Sequence, residues 1–399
     1  MNKCISLIVF FICFLNIAHA QRISGTVTSQ NAPINGASVL WKNHGIGTIT
    51  NSEGKFVLVL SKNIISSDSL VFSCIGYAPV TVSVDDALKN KKLTVTLAAT
   101  VNNLSDVVVK NLTLAELLDS IENHNMKKLI SPAIFSGYYK EVVYSDSLCT
   151  EFSDALCEYY YNRNQSNKIQ LKINASRCLS SAFKNTNKDK DSLKIAPLSD
   201  INPRRAFRYA LLYGMINRYF PKKVLPYYKY KMEEDSNTIK ITVFPKKYDS
   251  KHYYQLTLSL TGDFTLRHYH LEIPKAAVDM IKTINLLGFF HAKNIGLVID
   301  ANYLEDNDHI YPNSFFTQDS DHIYGKLFGS SFDQIFNYTS EFVVTKVDNA
   351  NTVKPFDNSV VYTKGNICGN GISMNDSLLT NYNAILPTQT ERTIIKGMK

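Results

Sequence analysis

From Arg22 to Val109 apolar and polar residues alternate in short runs: Ile23 to Val27, Ala37 to Trp41, Gly47 to Thr50, Lys55 to Leu60, Ser69 to Ser73, Val80 to Val84 and Leu93 to Leu97. The runs are rich in β-branched residues and return about every ten positions, the spacing of an all-β sandwich. Between them stand Ser29 to Asn31 with Pro33, Asn51 to Gly54, and Gly76 to Pro79. Gly permits a positive φ, and Pro fixes φ and lacks an amide donor, so each cluster ends a ladder and turns the chain.

At Leu112 the period lengthens. Thr113-Leu114-Ala115-Glu116 reads as a capping box, and Leu114, Leu117, Leu118 and Ile121 share one face, which predicts an amphipathic helix to His124. Beyond Pro132 the period returns to two, from Phe135 through Tyr161, and the turn-rich Tyr161 to Ser166 joins strands expected at Cys149 to Tyr160 and Asn167 to Leu179. Further strands are predicted at Lys168 to Ile173, Thr238 to Phe244, Tyr253 to Leu260, Phe264 to Ile273, Asn294 to Tyr303, Ile323 to Phe328 and Ser340 to Lys346. Two helices interrupt them. Asn202 caps a first turn opened by Pro203, with Phe207, Ala210, Leu211 and Gly214 as its buried stripe, and a shorter helix is expected over Ala276 to Leu287. The polar, poorly patterned residues 349–399 predict a loop-rich, loosely attached tail.

The pattern therefore predicts a mainly β protein. An N-terminal β-sandwich occupies 21–110, and an α+β domain at 111–348 is built on a large antiparallel sheet with a few helices. The curved, open barrel of periplasmic lipoprotein carriers is a fold-level analogy for that sheet and assigns no function.

The front stretch also carries an ordered set of residues. Gly25-Thr26-Val27, Pro33, Ala37, Val39, Gly47, Thr48, Asn51, Gly54, Phe56, Leu70 to Ser73, Ile75-Gly76-Tyr77 and Leu104 to Val109 together resemble the carboxypeptidase-like regulatory domain. That resemblance implies a transthyretin-like β-sandwich of the kind found on exported Gram-negative proteins, notably ahead of the plug of TonB-dependent receptors. It implies an accessory, docking role and no peptidase activity. Asn51 departs from the family's usual Asp, and Cys74 from its usual aromatic or small residue. In receptors the Val-Val-Val segment leads into a plug, whereas here it leads into a helix and then strands. The run Gly137-Tyr138-Tyr139-Lys140-Glu141 is similar to the second domain of other exported proteins bearing this module, an uncharacterised group.

Composition adds the compartment. Residues 1–20 combine Lys3, an apolar centre from Ile5 to Leu15 and a small-residue cleavage site at Ala18-His19-Ala20, which predicts a removable secretory signal peptide and an exported product, periplasmic, outer-membrane associated or secreted. No later apolar run reaches the roughly 20 residues of a spanning helix. With Lys3 gone, the formal charge falls from +8 to +7, an excess that suits an anionic lipid or glycan surface or an ordinary solvated exterior; nucleic-acid motifs are absent. Loss of Cys4 and Cys13 leaves Cys74, Cys149, Cys157, Cys178 and Cys368, an odd set for an oxidising compartment. A hairpin symmetric about residues 163 and 164 would face Cys149 with Cys178, close to disulfide range.

Three constellations carry candidate chemistry. Arg204, Arg205 and Arg208 open the Pro203 helix, where free N–H groups and cations can hold a phosphate or carboxylate, or where solvent can balance them. His268, His270 and Glu272 share one face of a predicted strand; that set can chelate zinc or iron, or line a wetted sheet surface. Tyr138, Tyr139, Tyr159 to Tyr161, Tyr227, Tyr228, Tyr230, Tyr253 and Tyr254 can stack on sugars or simply pack. No His is followed three places on by Glu, and there is no His-Glu-x-x-His, Gly-x-Ser-x-Gly, Walker or dinucleotide motif. The expectation is a non-enzymatic envelope binding or accessory protein without a cofactor. A structural envelope component and a hydrolase without a local motif are the alternatives.

Overall fold

The computed structural model describes residues 21–398 apart from 43, 61–63, 66, 91, 101–111, 181–202, 236–237, 287, 307, 328–329, 364–366 and 380. The expected leader, Asn202 and the Leu104 to Val109 segment lie outside the described residues. The alternating front runs become β1 (Gln21–Ser29), β2 (Ala32–Pro33), β3 (Ser38–Trp41), β4 (Ile46–Ile49), β5 (Lys55–Leu60), β6 (Ser69–Ser73) and β7 (Val80–Ser83), then a short helix α1 (Val84–Lys89) and β8 (Leu93–Thr96). One sheet joins β2, β1 and β5, with β8 parallel to β1; its partner runs β4-β3-β6-β7. Ile23, Val27, Val39, Trp41, Phe56, Leu58, Leu70 and Phe72 fill the space between them. Gly25 is required there, because a Cβ would stand 2.1 Å from the Leu93 carbonyl oxygen of the parallel neighbour. Gly54 supplies the positive φ of +70° that closes the β4–β5 turn.

After the sandwich comes α2 (Leu114–Lys128), whose capping box forms as expected: Thr113 and Glu116 satisfy each other's backbone amides. The chain continues through β9 (Ala133–Ser145), β10 (Leu148–Asn162), β11 (Lys168–Ser180), α3 (Pro203–Ala210), α4 (Leu212–Tyr219), β12 (Tyr228–Asp235), β13 (Thr238–Pro245), β14 (Gln255–Thr261) and β15 (Leu266–Glu272). It then makes β16 (Ile284–Leu286), β17 (Phe290–Asp306), β18 (His309–Leu327), β19 (Ser330–Asp348), β20 (Ile372–Ser373), α5 (Asp376–Leu379) and α6 (Gln389–Gly397). The helix expected over Ala276 to Leu287 is instead a 3-10 stretch, Lys275–Met280, followed by β16.

The long strands from β9 onward pair antiparallel in the order β12-β13-β14-β15-β17-β18-β19-β9-β10-β11, with β16 added on β17, the short β20 parallel to β11, and a bridge from β19 to β4 of the sandwich. The sheet does not close into a barrel. Laid flat, ten strands would span roughly 45 Å, too far for one small helix layer to touch both edges. Yet α2 packs against β12 at one edge and α3 against β11 at the other. The sheet therefore curls around the helices, and Phe207 sits at the centre of the concave face against Phe135, Tyr159 and Phe342.

The C-terminal segment departs from the expected loose tail. Met374 and Ile385 are buried with Tyr138, Leu156 and Val343, and Met398 with Cys149 and Phe152. Asn383 clips it to the sandwich: its Oδ1 accepts from the Val59 amide at 2.6 Å and its Nδ2 donates to the Val59 carbonyl at 3.3 Å. A chain with little periodicity can still be ordered when its few apolar residues each find a slot and its backbone polar groups find partners.

Candidate functional site

The expected metal set lies on the outer face of β15. Alternation places His268, His270 and Glu272 on that face while Tyr269 and Leu271 are buried in the core. Antiparallel register brings Asp300 of β17 opposite His270. Both imidazoles then share one carboxylate oxygen: His268 Nε2 lies 3.0 Å and His270 Nδ1 2.9 Å from Asp300 Oδ1, while His270 Nε2 is 3.6 Å from Glu272. Burial alone would raise Asp300, but hydrogen bonds from His268 and His270 bring it down to about 2. The Asp300 hydrogen bond in turn lifts His270 above the usual histidine range, against the opposing effect of burial.

In this structure the set is engaged in ion pairs. Among the described residues no three His, Cys, Asp or Glu side chains gather as ligands, because Asp300 draws one nitrogen of each ring to a single oxygen. His268 and Asp300 line a cleft of about 300 Å³ between the sandwich and the back sheet, facing Thr50 and Cys74. Burial pushes the Cys74 thiol up, so it stays protonated. Among the described residues neither imidazole has a hydroxyl or thiol within hydrogen-bond reach. The group can hold a proton, but no nucleophile is placed to use it.

The arginine trio stands on α3. Arg204 and Arg205 are half-buried and Arg208 is exposed. Arg204 Nε is buried with no acceptor among the described residues. Arg204 and Arg208 lie one turn apart; the residues that precede them in the chain lie outside the described set. Tyr138, Tyr139, Tyr159, Tyr160 and Tyr161 are fully buried, so these rings are packing elements and present no stacking surface. Two of them hold carboxylates: Tyr138 donates to Asp154 at 3.0 Å and Tyr139 to Glu141 at 2.7 Å.

The cysteine pairing also differs from expectation. Cys178 is bonded to Cys368, and Cys149 is a free, buried thiol. The β10–β11 loop is longer than a hairpin centred at 163 and 164, because Arg163–Gln165 forms a 3-10 turn. Register slides with it, so Cys178 faces Ser153 and not Cys149.

A second cavity was not legible in the chain. It is a groove of about 430 Å³ between β1, β5, β11 and the C-terminal segment. Val57, Ile385, Leu386 and Ile395 give it an apolar floor, and Arg22, Arg177, Arg392 and Lys396 line it as well. Arg177 is committed to Asp154, with Nε at 3.0 Å and Nη2 at 2.7 Å. Arg392 donates Nε to the Pro387 carbonyl at 3.0 Å. Arg22 and Lys396 form no ion pair among the described residues. The one carboxylate on this stretch of α6, Glu391, is taken by Lys140 at 2.7 Å. Arg22 and Lys396 therefore line the groove without an ion-paired carboxylate among the described residues.

Comparison with known proteins agrees with the front resemblance. Residues 23–109 match the CarboxypepD_reg-like domain, and the N-terminal sandwich is such a domain. A TonB-dependent receptor of Formosa agariphila is 38% identical over 97 residues, 24% of this chain and 9% of the receptor, so the chain spans a small fraction of that relative's length. Two solved structures show weak similarity. A DUF1329 family protein from Desulfovibrio piger covers 61% of this chain and 99% of its own at 9% identity and TM-score 0.28. A LolA superfamily protein from Nitrosomonas europaea covers 62% and 97% at 7% identity and TM-score 0.22. Among the described residues no helix is long and apolar enough to cross a membrane, which leaves β-barrel spans unaddressed.

Proposed function

We propose that this is a non-enzymatic binding and accessory protein of the cell envelope, periplasmic or outer-membrane associated, whose regulatory-type sandwich docks and whose groove holds an anionic amphiphile. The observation that carries the reading is the pairing of an apolar floor with two cations, Arg22 and Lys396, that form no ion pair among the described residues. A groove of about 430 Å³ lies within the size range of small-ligand sites. An acyl chain would cover the Val57, Ile385, Leu386 and Ile395 floor, and a phosphate or carboxylate head would accept from Arg22 and Lys396. The match of the sandwich to the front of a TonB-dependent receptor supports an envelope setting.

The test is calorimetric titration with lysophosphatidylglycerol and with the uncharged lysophosphatidylcholine. Binding of the anionic lipid should fall at least about tenfold in an Arg22→Glu/Lys396→Glu variant and weaken with added salt. No heat from either lipid, or equal affinity in the variant, would reject the groove as the ligand site. A hydrolase is the second reading, favoured only by the His268–Asp300 pair in its cleft. It requires turnover of an ester or peptide panel that His268→Gln abolishes.

A further inference from the structure

The cleft between the sandwich and the back sheet does more than shelter the His268–Asp300 pair. Antiparallel register lines up His270 of β15, Asp300 of β17, Phe316 of β18 and Glu341 of β19 in one lateral row on the outer face of the sheet. The next row on that face holds His268, Asn302 and Ser314. Asp300, Asn302, Phe316 and Glu341 all line the cleft, and Ile49 and Ile75 line it from the sandwich side.

Phe316 is the unusual member of the row. It is half-buried, joins none of the buried apolar clusters and stacks on no other ring among the described residues. On the sandwich wall Ile75 is 44% exposed. An aromatic face left at a cleft, and not packed into a core, is available to another flat apolar face. Tyr138, Tyr139 and Tyr159 to Tyr161, being buried, offer no such surface.

The polar groups beside that ring have unused acceptors. With strands about 4.8 Å apart, the backbones that carry Asp300 and Glu341 stand about 10 Å apart, with Phe316 between them. Each carboxylate is engaged through one oxygen: Asp300 Oδ1 receives both imidazoles, and Glu341 Oε2 lies 2.9 Å from Lys140. Asn302 uses its amide on Ser314 at 3.1 Å. Asp300 Oδ2, Glu341 Oε1 and Asn302 Oδ1 therefore accept nothing among the described residues. A complementary ligand must donate several hydrogen bonds. It need carry no charge, because His268, His270 and Lys140 already oppose the two carboxylates. A ring with one apolar face and a rim of hydroxyl donors meets both conditions.

From this we infer that the cleft binds a neutral sugar ring, which lies on Phe316 and donates its hydroxyl hydrogens to Asp300, Asn302 and Glu341. A cleft of about 300 Å³ stands at the small end of ligand sites, so it holds a short unit of a glycan. It shares no lining residue with the Arg22–Lys396 groove, and holding a sugar requires no turnover by the His268–Asp300 pair.

The experiment is isothermal titration of the full chain with the neutral trisaccharides maltotriose, cellotriose, laminaritriose and mannotriose. At least one should bind, and added salt should leave its affinity unchanged. Phe316→Ala should weaken that binding more than about tenfold, and Asn302→Ala about two- to tenfold, as for one lost hydrogen bond, both with unchanged near-UV circular dichroism. Phe316→Trp should keep the binding and report it by a blue shift in emission, because the chain's one tryptophan, Trp41, is fully buried. Arg22→Glu/Lys396→Glu should bind the sugar like the parent, so failure of the groove leaves this result standing. Binding of none of these trisaccharides, binding that survives Phe316→Ala, or binding to Phe316→Trp without any change in its emission would overturn the inference.

Discussion

Lys140 shows how single residues tie distant parts of this chain together. Its side chain is 6% exposed and its Nζ lies 2.9 Å from Glu341 and 2.7 Å from Glu391. Burial disfavours the ammonium, yet the two glutamates hold its pKa above the ordinary lysine value. Burial likewise acts to raise Glu391, and Lys140 more than reverses it. Lys140→Met should therefore leave two carboxylates facing each other without a cation and cost about 3–5 kcal/mol by denaturant unfolding. Adding Glu341→Gln and Glu391→Gln should recover most of that loss, whereas a recovery of nothing would mean that the lysine's methylene packing matters more than its charge. The His268–Asp300–His270 group sets a pH window instead. His270 titrates above its unfolded value near 6.5, so its contribution is complete below that pH and fades as pH rises through the raised value. Asp300 titrates near 2 against an unfolded 3.8, so its contribution is present above 3.8 and lost on acidification towards 2. Stability should be greatest between these limits, and Asp300→Asn should flatten the decline above pH 6.5 in unfolding curves taken at stepped pH.

At the scale of elements, what the chain announces depends on how local its cause is. The Thr113–Glu116 capping box is legible because both partners lie within one turn, and α2 begins where that box places it. The front strands are legible for a similar reason, since short β-branched runs such as Ser69–Ser73 and Leu93–Thr96 alternate over a core and turn formers such as Asn51 to Gly54 separate them. Asn51 keeps the turn that Asp makes elsewhere: its Oδ1 accepts from the Glu53 and Lys55 amides, each at 3.0 Å. Its Nδ2 adds what a carboxylate cannot, a donor to the Leu386 carbonyl at 3.0 Å. By contrast β18 and β19 run for 19 residues each, where the pattern predicts only short pieces near their ends. Thr317, Ser320, Asn337 and Ser340 carry those strands, and buried or half-buried polar residues disguise the alternation. Register hides in the same way. A 3-10 turn at Arg163–Gln165 and a bulge between Leu156 and Cys157 together decide which residue Cys178 faces, and neither the length of that turn nor the bulge leaves a signature in the pattern. The His pair is visible as a spacing, but Asp300, which determines what the pair does, comes from another strand and leaves no local sign.

For the whole molecule the C-terminal segment acts as a clasp, and its anchors span the chain. Cys368 is bonded to Cys178 across 190 residues, Asn383 is bonded to Val59, and Glu391 is bonded to Lys140. Leu379 to Lys396 also forms one wall of the groove, so the clasp and the proposed ligand site share structure. Cross-linking so long a loop restricts the unfolded chain, a contribution of about 2–4 kcal/mol. Cys178→Ser/Cys368→Ser should lose about that much, and limited proteolysis should cut first near Gly369 and Gly371, beside the missing bond. The curled sheet keeps its own core of Phe135, Tyr159, Phe207 and Phe342 and should remain protected. If the clasp shapes the groove, lysophosphatidylglycerol should bind the disulfide-free variant more weakly. Equal proteolysis of the parent and variant would show that Asn383 and Glu391 hold the segment without the disulfide.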